Sequence, residues 1–175
     1  MKLDKEKEKR WSYKKANKIA LKVLEELSPH CSRIEIAGSI RRMKSDIGDI
    51  EIVAIPLPYN SGMFESGLAK VANRWQKVKG ELEFGKTKYT QRILPEGIKL
   101  DLFFTEETNW GYTLALRTGS SDYSHKVLAS GWVRRGFKSI DGYLWKDGER
   151  YEVREEKDLF DIVGIPYTEP KNRNI

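Results

Sequence analysis

Two neighbouring segments, Gly38-Ser39-Ile40-Arg41-Arg42 and Gly48-Asp49-Ile50-Glu51-Ile52, constrain this chain more than any others. A Gly-Ser turn closing an apolar strand presents backbone N–H groups and a hydroxyl, a cradle suited to a triphosphate. Asp49 and Glu51 stand at i and i+2, so on a strand they share one face. Carboxylates held side by side repel each other, and nearby cations must offset this. Where phosphoryl groups are moved, those cations are usually two Mg²⁺ ions roughly 3.5–4 Å apart. A phosphate cradle beside such a strand reads as nucleotidyl transfer.

The rest of the composition sets limits around that reading. A chain of 175 residues makes one domain, or one domain with a small appendage, and can bury a real core. With 39% apolar residues, five Trp and eight Tyr, it is too hydrophobic to be disordered despite 33% charged residues. The formal net charge of +6 favours a polyanionic partner. A lone cysteine, Cys31, excludes an internal disulfide framework, and two histidines, His30 and His125, argue against a Cys/His zinc site. No run approaches ~18 apolar residues, and the mixed-charge start from Met1 to Arg10, read as a frayed helix end, lacks the apolar stretch of a signal peptide. A soluble protein of a reducing, intracellular, cytoplasmic compartment is expected, without membrane contact.

Periodicity predicts a helix from Trp11 to Leu27, with Ala16, Ile19, Ala20, Val23, Leu24 and Leu27 inward and Ser28-Pro29 as its stop. Strands are expected at Arg33–Ala37 and Ile50–Ile55, a helix from Met63 to Trp75 after a Ser61-Gly62 loop, and further strands at Gln76–Lys79, Lys88–Leu94 and Ile98–Phe104. The Pro95-Glu96-Gly97 turn makes the last two a hairpin. Beyond Thr105 the texture changes to helices over Trp110–Leu116 and Asp122–Arg135, short strands near Phe137–Ile140, Tyr143–Trp145 and Arg150–Val153, and a helix Glu156–Val163 closed by Gly164. The fold class is α+β: a mixed sheet flanked by helices over residues 1–105, then a smaller α+β unit over 106–175, with Trp145 and Phe160 in its core.

A third carboxylate completes the chemistry. Asp101 is the sole acid in Ile98-Lys99-Leu100-Asp101-Leu102-Phe103-Phe104. If that strand lies beside Ile50–Ile55, then Asp49, Glu51 and Asp101 converge as catalytic and metal-binding residues, with Asp101 accepting the proton of a 3′-hydroxyl. Gly38, Ser39, Arg42 and Gly48 are candidates for the triphosphate, since a planar guanidinium matches phosphate oxygens. Thr118-Gly119-Ser120, between two helical segments, can form a tight turn over a bound nucleotide.

Together these residues resemble the family X DNA polymerases, the DNA polymerase beta group. The resemblance lies in Gly38-Ser39-x-Arg41-Arg42, Gly48-Asp49-x-Glu51, Leu100-Asp101-Leu102, Thr118-Gly119-Ser120, Gly85-Lys86-Thr87-Lys88-Tyr89 and the ending Glu156-Lys157-Asp158-Leu159-Phe160-Asp161, Ile165-Pro166-Tyr167 and Glu169-Pro170-Lys171-Asn172-Arg173. It runs from about Trp11 to Arg173. It implies a nucleotidyltransferase palm over 1–105 and a thumb over 106–175, as in the shortened viral members. It also implies two Mg²⁺ ions, with Mn²⁺ as an alternative, and a monomer that fills short gaps in DNA repair from deoxynucleoside triphosphates on primed DNA. Four positions depart from the family pattern: Glu51 stands where Asp is usual, Leu116-Arg117 replaces an aromatic pair, and Ser124 stands about where an Asn would be expected.

DNA grip is then expected from exposed cations, Lys126, Arg134, Arg135, Lys138, Lys171 and Arg173, with stacking on Trp132 or Tyr143. Two other classes remain open on the residues alone. One is nucleotidyl transfer to RNA, protein or a small molecule; the other is a non-catalytic nucleic-acid-binding module.

Overall fold

Alternating apolar residues build the central sheet. The computed structural model describes residues 9–58, 67–83 and 87–175. The charged start before Lys9, the Ser61-Gly62 loop, the first residues of the helix expected from Met63, and Gly85-Lys86 lie outside the described residues. The order is β1 (Trp11–Ser12), α1 (Tyr13–Leu27), β2 (Cys31–Ile36), α2 (Gly38–Arg41), β3 (Asp46–Ile47), β4 (Asp49–Pro56), α3 (Gly67–Ala72), β5 (Gln76–Lys79), β6 (Tyr89–Ile93) and β7 (Lys99–Phe104). After these come α4 (Trp110–Thr118), a π-helical turn Tyr123–Ala129, α5 (Ser130–Arg134), β8 (Lys138–Ile140), β9 (Tyr143–Lys146), β10 (Glu149–Tyr151) and α6 (Glu156–Val163).

Among the described residues, five strands pair in the order β2-β4-β7-β6-β5, with β4 and β7 parallel and the other pairs antiparallel. On one face Ile50, Ile52, Leu100 and Leu102 are fully buried with Ala16, Ile19, Ala20, Val23 and Leu27 of α1. Each Ile or Leu removed from water this way contributes about 1.5–3 kcal/mol. Helix α1 begins where the Ser12 hydroxyl accepts the Lys15 N–H at 3.4 Å, and it ends in the Ser28–His30 turn around Pro29. On the opposite sheet face Val53 and Ile55 pack with Ala37 against Trp110 and Leu114 of α4. That face carries the odd-numbered residues of β4 and β7, including the acids.

The second core gathers Leu128, Leu144, Val153, Leu159 and Phe160 between α4, α5, α6 and the β8-β9-β10 sheet. Positive φ at both residues of Asp141-Gly142 and of Asp147-Gly148 gives the left-handed pairs that tight hairpins need. Helix α6 opens with a reciprocal cap, the Glu155 N–H donating to Asp158 Oδ2 at 2.8 Å, and ends at Gly164 with φ 80°. Two expectations are corrected here. Leu144, not the half-buried Trp145, enters the core, because the two alternate across β9. Trp132 is buried against Tyr112, so it is no stacking platform.

Charged side chains tie the sheet to this second region. Arg33 forks onto Glu155 with two bonds of 2.8 Å while its guanidinium lies 4.4 Å from the Trp110 ring centroid. Arg41 forks onto the buried Glu156 at 2.8 and 2.9 Å.

Candidate active site

Strand register decides which acids meet. Parallel pairing of β4 and β7 sets Glu51 directly opposite Asp101 and Asp49 opposite Lys99, with all three acids on the face toward α4. Glu51 lies over Gly38, whose φ is +61° and where an added Cβ would overlap the Glu51 carboxylate. Only glycine satisfies both demands at that turn. The turn is further fixed by the Ala37 N–H, which donates to the Glu51 carbonyl at 2.8 Å.

Burial pushes the Glu51 carboxyl up to about 8, and the charges of Asp49 and Asp101 add to the shift against the opposing Arg42 and Arg117. Asp101 is itself buried, and its Oδ1 accepts the Tyr89 hydroxyl at 2.5 Å and the Gln91 amide at 2.8 Å. Burial, and then the bond to Asp101, holds the Tyr89 phenol above its ordinary range.

A cleft of about 650 Å³ opens between these strands and the second region. Ser39, Arg42, Gly48, Asp49, Glu51, Gly119 and Ser120 line it, as do Arg10, Lys99, Leu116, Arg117, Ser121, Ser124, His125 and Trp132. Ser124, His125 and Ala129 of the π-helical turn, a distortion that often sits at functional sites, contribute to its far wall. Gly38, Asp101 and Thr118, expected in the same site, do not line the cleft. Gly38 is covered by Glu51, Asp101 is turned into its bonds with Tyr89 and Gln91, and Thr118 is wholly buried with its hydroxyl accepting from Arg41. Among the described residues, no three His, Cys, Asp or Glu side chains stand grouped to hold a metal ion. Asp49 and Asp101 raise Glu51 without the three forming such a group.

The arginines divide the work. Arg42 reaches the cleft while its Nε donates to Asn174 Oδ1 and its Nη1 to the Thr118 carbonyl, both at 2.8 Å. Burial lowers its pKa, with Glu51 and Asp49 acting in the opposite sense. Arg41 is committed instead to Glu156, Thr118 and, at 3.1 Å, Glu35.

Arg173 corrects a further expectation. It is fully buried, bonded to Glu156 at 2.5 Å and to the Thr168 carbonyl at 2.7 Å, so it is not a surface cation. Lys126, Arg134, Arg135, Lys138 and Lys171 are exposed, Lys126 pairing with Asp122 at 3.3 Å. Sequence reasoning missed Gln91 and Asn174, and it met Tyr89 and Glu156 only as parts of the resemblance, without their bonds to Asp101, Arg41 and Arg173. Gln91 finds Asp101 across a strand pair and Asn174 finds Arg42 132 residues away, so no local pattern marks either.

These elements define a mixed α+β chain in which a small helix-and-strand region follows the sheet. A family model described as DNA polymerase beta thumb matches residues 113–174, from within α4 to past α6. No curated protein matches the chain. The family reading made from the sequence is corrected accordingly. It placed the chain in family X from Trp11 to Arg173, whereas the match is to a thumb over well under half of the chain, and the family X assignment is withdrawn. No helix among the described residues is long and apolar enough to cross a membrane.

Proposed function

We propose that this chain is a Mg²⁺-dependent DNA polymerase that adds deoxynucleotides to a primer 3′-hydroxyl, filling short gaps in damaged DNA. The observation that carries the reading is Glu51, raised by burial and by two further acids, on the wall of a cleft that also holds Ser39 and Arg42. The thumb match beside that cleft supports a polymerase over other nucleotidyl transfer.

Oxygen donors of carboxylates suit a hard divalent cation such as Mg²⁺, and Glu51 is raised by burial and by the charges of Asp49 and Asp101. Asp49, Glu51 and Asp101 share one sheet face and would draw together around the cation, since as they stand they are not grouped to hold an ion. Bound there, it would supply charge neutralisation at the transferring phosphoryl group. In this reading Asp101 accepts the proton of the 3′-hydroxyl. Arg42, Ser39 and the Gly48 backbone hold the triphosphate, and Gly119-Ser120 packs beside the nucleotide. Lys126, Arg134, Arg135, Lys138 and Lys171 bind DNA phosphates, which positions the duplex without reading sequence.

The test offers gapped, primed and single-stranded DNA with each nucleoside triphosphate and Mg²⁺, and measures primer length on a gel. Extension that depends on Mg²⁺ and template, lost in Glu51→Gln, is expected. Template-independent transfer to RNA or a small molecule, or binding without extension, would overturn the proposal.

A further inference from the structure

We infer that Tyr89 and Gln91 are positioning residues that fix the Asp101 carboxylate through one oxygen, a role that rests on the reading of Asp101 given above. Strand β6 pairs antiparallel with β7, setting Gln91 opposite Asp101 and Tyr89 opposite Phe103. Gln91 therefore reaches Asp101 straight across the ladder. Tyr89 reaches it diagonally, because its ring stacks on Phe103 at 5.1 Å between centroids with 29° between planes. Arg117 lies 4.1 Å from the centroid of that same Phe103 ring, so the aromatic pair is anchored from the cleft wall.

The two donors converge on the same atom. The Tyr89 hydroxyl and the Gln91 amide both bond Oδ1, at 2.5 and 2.8 Å. Hydrogen bonds to a carboxylate are short and strong, and two on one oxygen stop the group from rotating about its Cβ–Cγ bond. Oδ2 is left with neither donor. The carboxylate thus keeps one oxygen clear of both donors, on a residue that the β4–β7 register sets opposite Glu51. A reacting group held in one orientation gains rate without gaining affinity for the substrate.

The variants that test this are Tyr89→Phe, which keeps the ring on Phe103 and removes only the hydroxyl, and Gln91→Met, which removes the amide at similar size. Each is expected to lower kcat about tenfold, and the pair together more, with KM for the nucleotide and DNA affinity by anisotropy within about twofold of wild type. A second readout needs no turnover. Mn²⁺ binding is followed by electron paramagnetic resonance on DNA carrying a primer that lacks a 3′-hydroxyl. Tyr89→Phe should weaken it several-fold, yet change nothing further in an Asp101→Asn background, because the two residues act as one unit. Wild-type kcat and Mn²⁺ binding in both Tyr89→Phe and Gln91→Met, with Asp101→Asn inactive, would overturn the inference alone. Full extension by Asp101→Asn would overturn the reading of the site, and this inference with it.

Discussion

Replacing Glu156 by Gln should unfold this protein more easily than any surface substitution, and the structure indicates by how much. Glu156 is held by Arg41 at 2.8 and 2.9 Å, by Arg173 at 2.5 Å and by the Tyr167 hydroxyl at 3.3 Å. Its side chain is 8% exposed and that of Arg173 is 0% exposed, so solvent screens little of the pairing. Removing one partner of a buried pair typically costs about 3–5 kcal/mol, because a charge is left buried alone. Here the lower end applies. Arg41 keeps Glu35 and Thr118, and Arg173 keeps the Thr168 carbonyl and the Phe160 ring, 4.9 Å away. A loss of ~3 kcal/mol, at a urea slope of ~2 kcal/mol per molar, moves the midpoint down by ~1.5 M.

The pH dependence gives a second, independent check. Burial alone would raise the Glu156 carboxyl, but the bonds and charges of Arg41 and Arg173 outweigh it and hold the group below its ordinary 4.5. A carboxyl depressed by folding stabilises the native state fully above its unfolded value, and this is lost as pH falls through its folded value. Wild type and Glu156→Gln should therefore differ most near pH 7 and converge below pH 4.5. Urea melts at pH 7 and pH 3 decide it. A midpoint shift under ~0.5 M at pH 7, or a gap unchanged at pH 3, would refute the reasoning.

Gly38→Ala should abolish primer extension while the fold survives with a lowered melting temperature, since the new methyl group displaces the Glu51 carboxylate and φ +61° costs about 1–2 kcal/mol in any other residue; an active Gly38→Ala protein would show that Glu51 is not where the chemistry happens. Reversing Arg134 and Arg135 to Glu should weaken every DNA substrate alike, and the log–log dependence of affinity on salt should become shallower by about 0.7–0.9 for each phosphate no longer neutralised. Anisotropy at several salt concentrations reads this, and a flat salt response in the wild type would exclude phosphate-based grip.

Much of the scaffold is legible from local pattern. The spacing of Ala16, Ile19, Ala20, Val23 and Leu27 marks the buried face of α1, and the hairpin after Pro95 closes with a Gly97 N–H to Leu94 carbonyl bond of 2.8 Å. Helix α6 begins and ends where Glu156 and Gly164 suggest. Strand alternation also places Asp49 and Glu51 on one face. The meeting of Glu51 with Asp101 is a different matter, because it depends on a parallel pairing between strands separated by a long crossover. No residue within either strand specifies that neighbour.

The arginines illustrate the limit most clearly. Arg41, Arg42 and Arg173 are alike in sequence terms, yet one serves a buried carboxylate, one reaches the cleft and one is sealed in the interior. Their partners lie elsewhere in the chain, and short-range periodicity carries no information about them. The break of the expected 122–135 helix into a π-helical turn and α5 is likewise not visible in its apolar periodicity.

The bonds from Arg33 to Glu155 and from Arg41 to Glu156 span 122 and 115 residues. A ribosome making this chain completes every strand of the five-stranded sheet well before either glutamate exists. For that interval the nascent sheet carries both arginines without these acceptors, beside the bare apolar face of Val53 and Ile55 that α4 will cover. Such an intermediate is sticky toward other chains and toward the anionic RNA around it. Slow codons placed between the sheet and α4 would lengthen that exposure, and yield during expression should then depend on translation speed more than on the stability of the finished protein.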